Sequence, residues 1–139
     1  MNPEDLAAAP PARLPFPVTR AQASAVGCRA EGDGRPTMFG HFSTFNDWYE
    51  VDSWLEGHFL ERIAPRAFRK TIAESRGRMK VLYDHGQDPT LGNQILGSIE
   101  TLEEDSTGPA YEVALFNGVP PLLVSGLRAN AYGSSFRFS

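Results

Sequence analysis

The sequence predicts an α+β fold: a mainly antiparallel β-barrel flanked by short helices. Three observations predict it. Short alternating segments bounded by turn residues follow one another along most of the chain. Only two segments carry the period of an amphipathic helix, and both are short. Those two interrupt a run of strands rather than alternating with them, which favours antiparallel pairing.

Residues 1–19 are rich in Ala and Pro and read as a mobile arm ahead of a domain spanning 20–139. Ala21–Ala30 and "PTMFGHFSTFN" at 36–46 read as strands joined by the turn "EGDGR", a hairpin. "DWYEVDSW" at 47–54 is acidic and aromatic and reads as a loop or lid, with "GHFLERIAP" at 57–65 a further strand. "PRAFRKTIAES" at 65–75 reads as a helix begun by Pro65, with Phe68 and Ile72 on its inner face. "MKVLYDH" at 79–85 alternates like a strand and opens into the loop "GQDPTLGNQ". "ILGSIETL" and "AYEVALF" read as strands around the turn "EEDSTG". "VPPLLVSGLRAN" at 119–130 reads as a second helix with Leu122, Leu123 and Leu127 inward, and "AYGSSFRF" as the last strand.

The composition excludes several classes. A chain of 139 residues holds one domain with a real core. A net charge of −4 offers no basic excess for phosphates, so nucleic acid is not an expected partner. No apolar run reaches the roughly 20 residues of a membrane span, and the acidic, proline-rich start is unlike a signal peptide. A cytoplasmic location follows as the expectation. The single Cys28 cannot form an internal disulfide and reads as a small apolar side chain rather than a reactive thiol.

The chemistry left is nucleophilic. His41, His58 and His85 show no metal-ligand spacing, and neither a phosphate loop nor a G-x-S-x-G elbow is present, so no metal or cofactor is expected. A serine needs an imidazole to take its proton and a third group to orient that imidazole. Ten serines and three histidines give thirty pairings, so spacing does not choose among them. Context narrows the field. His41 lies among Phe39, Phe42 and Phe45 and reads as a packed or edge histidine, and His58 as a solvated strand start. His85 ends an apolar run at a loop, where a scaffold presents working side chains, and on context alone it reads equally well as functional or ordinary. In the last strand, alternation puts Ser135 and Arg137 on one face and Ser134, Phe136 and Phe138 on the other. Ser135 therefore faces away from the aromatic core.

The run from Gly40 through "LYDHG" resembles the prohead proteases of tailed phages, in Gly40 to Asn46, in Pro65, Ala67 and Phe68, and in His85 before Gly86. "LGSIETLEEDSTGPAYEVAL" is similar to their next hairpin and "GSSFRF" to their nucleophile strand, so the likeness covers residues from about 20 to 139. The resemblance implies a fold similar to the herpesvirus assembly proteases. It implies a serine endopeptidase in the host cytoplasm, inside the immature capsid, acting on scaffold and major capsid protein precursors. Ser135 matches the nucleophile and His85 the general base. The family's third residue is an acid further downstream, whereas this sequence ends at Ser139, so the expectation is a C-terminally truncated domain. Glu50, Asp52 and Asp84 stand open as substitutes. Missing strands would leave unpaired edges that invite self-association. The competing expectation is a structural or scaffold-interacting assembly protein that has lost catalysis.

Overall fold

The computed structural model describes residues 18–138, so the arm expected over 1–19 lies outside the described residues except for Val18 and Thr19, which open the first strand. The strands are β1 (Val18–Ala30), β2 (Pro36–His41), β3 (Tyr49–Ser53), β4 (Gly57–Glu61), β5 (Gly97–Glu104), β6 (Pro109–Leu115) and β7 (Gly133–Phe138). The helices are α1 (Arg69–Ser75) and α2 (Pro121–Arg128).

The main sheet has five strands in the order β5-β6-β2-β1-β7, every pairing antiparallel. It is open among the described residues, with β5 and β7 at its edges, so the expected closed barrel is not found. β3 and β4 form their own two-stranded ladder instead of joining the sheet.

Turn chemistry sets the hairpins. Between β1 and β2, the Gly34 amide donates to the Glu31 carbonyl at 2.8 Å, and the Arg35 amide donates to Asp33 Oδ1 at 2.9 Å. Between β5 and β6, Asp105 Oδ1 accepts from the amides of Thr107 at 2.8 Å and Gly108 at 3.0 Å. β1 serves two partners. Val26–Ala30 pair with β2, while Val18–Ala21 pair with β7, and a register shift separates Ala21 from Ala25. Such an irregularity bends a strand. Ser135 stands opposite Ala21, at the last regular position before it.

The core lies between the sheet and α2. Val26, Met38, Leu102, Tyr111, Val113 and Leu115 come from the strands and Leu123 and Leu127 from the helix. Leu123 and Leu127 are four apart and share a stripe, whereas Leu122 sits one position off it and is 83% exposed, contrary to the inward role read for it. Cys28 is half-buried against this core and free.

Three further expectations are corrected. The segment 47–54 holds β3 rather than a loop, because Val51 packs inward and pairs with Phe59 while its polar neighbours face out. The first helix begins at Arg69, not Pro65, and buries no residue fully. Arg66 takes a left-handed φ of 74°, and the Phe68 amide donates to Glu104 Oε1 at 3.0 Å, so a β5 side chain caps the helix from outside. Residues 79–85 are not a strand. The Leu96 amide donates to the Val81 carbonyl at 3.0 Å, no ladder follows, and Tyr83–Gly86 turn into a 3₁₀ helix.

A buried ion cluster ties the β3–β4 hairpin to β1. Arg20, only 5% exposed, reaches Glu56 Oε1 at 2.5 Å and Glu61 Oε1 at 2.7 Å, and the Tyr49 hydroxyl also donates to Glu61. Burial works to lower the Arg20 pKa, but the two glutamates outweigh it and hold the guanidinium above its ordinary value. Burial, then the bond to Glu61, pushes the Tyr49 phenol up. Among the described residues no helix is long and apolar enough to cross a membrane.

Candidate active site

β7 and the turn at Tyr83–Gly86 build the site together. Alternation along β7 directs its two serines apart, as read from the sequence. Ser134 joins the aromatic side, where its hydroxyl donates to the His41 carbonyl at 2.7 Å. It also lies near the buried Tyr111 hydroxyl, without a hydrogen bond of good geometry between them, and burial raises the pKa of that phenol. Phe42, Phe68 and Phe136 pack behind it, with Phe68 edge-on to both others at 5.1 Å and Phe42 tilted against Phe136 at 5.6 Å.

Ser135 faces the other way and meets His85. Its Oγ lies 2.7 Å from His85 Nε2, across fifty positions of sequence. Both residues are half-buried. Two further contacts join the same turn to β7 and to the residue just before it. The rings of Tyr83 and Tyr132 meet edge-on at 5.9 Å, and Arg137 Nη1 donates to the His85 carbonyl at 3.4 Å. His85 itself takes a left-handed φ of 49°, and Gly86 follows at 80°. That positive φ is what favours glycine here, since the nearest atom to a Cβ at Gly86 would be the movable Asn93 Oδ1 at 2.7 Å.

The other histidines sit elsewhere. His41 Nε2 contacts Asp105 Oδ2 at 2.8 Å. Burial would raise the Asp105 pKa, but His41 and the Gly108 and Thr107 amides together hold it below the usual carboxylate range. His58 Nε2 lies 2.6 Å from Glu50 Oε1. Glu50, Asp52 and His58 bring their ligand atoms within 4.8 Å of one another on the exposed hairpin. That grouping could accept a divalent cation, and sequence spacing hid it because the hairpin, not a local motif, assembles it. Glu50 is therefore engaged with His58, and Asp52 stands opposite His58 in register. The Asp84 side chain lies outside the described residues.

Two surface cavities of about 340 and 420 Å³ occur near α2 and α1, and neither is lined by Ser135 or His85.

A serine hydroxyl within hydrogen-bond reach of an imidazole nitrogen, presented on a strand edge, has the arrangement of serine hydrolases. The caudovirus prohead serine protease family model matches residues 24–136, and the chain belongs to that family. It is thus a member of a family of phage proteases that act in capsid maturation. No curated protein and no solved structure matched, so the likeness to herpesvirus assembly proteases has no structural comparison behind it.

Proposed function

We propose that this chain is a serine endopeptidase that cleaves scaffold and major capsid protein precursors inside the immature capsid, with Ser135 as nucleophile and His85 as general base. The single observation that carries this reading is the 2.7 Å contact between Ser135 Oγ and His85 Nε2. With its own proton on Nδ1, the imidazole accepts the hydroxyl proton at Nε2 as Oγ attacks a peptide carbonyl. The imidazolium then gives that proton to the leaving amine. Water repeats the sequence and releases the acyl group. An extended precursor segment would lie across this pair, and the edge strands of the sheet are the surfaces through which copies of the chain would associate.

A fluorophosphonate probe tests the reading directly. The parent chain is expected to label at Ser135, and His85→Ala to abolish labelling while the domain stays folded. Purified capsid precursor is expected to be cut by the parent and left intact by Ser135→Ala. Cleavage by Ser135→Ala at the parental rate would sink the assignment.

A further inference from the structure

We infer that Arg137 is a positioning residue for the Ser135–His85 pair. The inference rests on the function proposed above and adds a residue to it. Arg137 lies two positions beyond Ser135, on the same face of β7. Its Nε donates to Thr19 Oγ1 at 3.3 Å, and its Nη1 donates to the His85 carbonyl at 3.4 Å. Among the described residues it makes no ion pair, so an exposed guanidinium directs its donors at neutral oxygens.

The second of those contacts reaches the residue that needs holding. His85 has a left-handed backbone, which is unfavourable for a residue with a side chain and persists only where the surroundings over-determine it. That backbone sets where the imidazole stands. Gly86, which follows, also has a positive φ, of 80°. Arg137 donates to the His85 carbonyl from the β7 side.

The Tyr83–Tyr132 contact fixes the start of the turn, and Arg137 fixes the residue that carries the imidazole. The strand that supplies the hydroxyl thereby also grips the backbone of its partner. The two reacting groups are referenced to one element instead of two. A displacement of about 1 Å between such groups costs up to about a hundredfold in rate.

The test compares parent, Arg137→Met, Arg137→Lys and Thr19→Val. It measures fluorophosphonate labelling rate, kcat and KM on a precursor peptide, thermal midpoint, and the ¹⁵N resonances of labelled histidine. Arg137→Met is expected to slow labelling and kcat by about ten- to a hundredfold, with KM and midpoint near parental. Its His85 Nε2 resonance should move toward that of a free imidazole. Arg137→Lys, which keeps the charge and a donor, should recover part of the rate. Parental labelling and an unmoved resonance in Arg137→Met overturn the inference. So does an equal loss in Thr19→Val, since Arg137 would then act by tying β7 to β1. A rise in KM alone overturns it too, because that outcome makes Arg137 a substrate contact. If the parent itself does not label, the proposed function fails, and the histidine resonances alone then decide whether Arg137 positions His85.

Discussion

Ser134 and Ser135 are adjacent in sequence, yet their hydroxyls serve opposite faces of one strand: Ser134 binds the His41 carbonyl and Ser135 meets His85 Nε2, each at 2.7 Å. Their substitutions should therefore separate. Ser135→Ala is expected to lose probe labelling with little change in stability. Ser134→Ala is expected to label normally and to lose about 1 kcal/mol, the net worth of one hydrogen bond. Labelling with denaturation curves on both variants checks this, and the reverse pattern would exchange the roles of the two serines.

Arg20 should be among the costliest positions to change. Arg20→Met strands Glu56 and Glu61, and Glu56 is only 6% exposed at its side chain. Breaking a buried ion cluster by removing one partner costs about 3–5 kcal/mol. Arg20→Lys should recover little, because an ammonium cannot engage two carboxylates as a fork does. Urea midpoints read this; a loss under about 1 kcal/mol would mean that water reaches the cluster.

Phe68 links α1 to β7 through its edge contacts with Phe42 and Phe136. It is half-buried, so Phe68→Ala should cost about 2–3 kcal/mol, less than the roughly 3–5 kcal/mol of a fully enclosed ring. Because Phe136 is next to Ser135, labelling of this variant should also slow. Denaturation and labelling on the same samples would show both effects, and loss of neither would detach the aromatic cluster from the site.

Asp105 supplies a pH dependence with a definite sign. Its folded pKa lies below the ordinary 3.8. A depressed carboxyl stabilises the fold above its unfolded pKa and loses that contribution as pH falls through the folded value. Asp105→Asn keeps an acceptor for the turn amides but removes the charge. The variant should be less stable than the parent at about pH 6, by under about 1 kcal/mol since solvent screens the exposed pair. The two should converge in strong acid. A gap that widens on acidification would contradict the sign.

Much of the architecture was legible because local rules govern it. The turns at Asp33–Gly34 and Asp105–Gly108, the two short helices and the last strand follow from residue chemistry and period. So does the outward aim of Ser135, since alternation by two separates it from Ser134. What was not legible depends on partners far along the chain. The segment 79–85 alternates like a strand but finds no ladder to join. Tyr49–Ser53 looks like a loop because its acids conceal a pattern that only pairing with Phe59 reveals. Arg20 gives no sign in sequence that it will be buried, because its glutamates come 36 and 41 positions later. The His85–Ser135 contact belongs to the same class. Context and family likeness singled out both residues, but their separation of fifty positions carries no signal of its own.

The pairing of β7 with β1 has a kinetic consequence. Val18 faces Phe138 and Ala21 faces Ser135, so the two strands come from opposite ends of the described chain. Contacts of such sequence separation carry the largest loop-closure entropy and form late, whereas the β5–β6 hairpin and α2 close over short distances. A nascent or refolding chain therefore regains most of its secondary structure before its serine stands beside its histidine. On the proposed roles of Ser135 and His85, reactivity toward a serine probe would then serve as a stopwatch for the final docking of the sheet, and a newly made molecule would stay chemically silent until that step is complete.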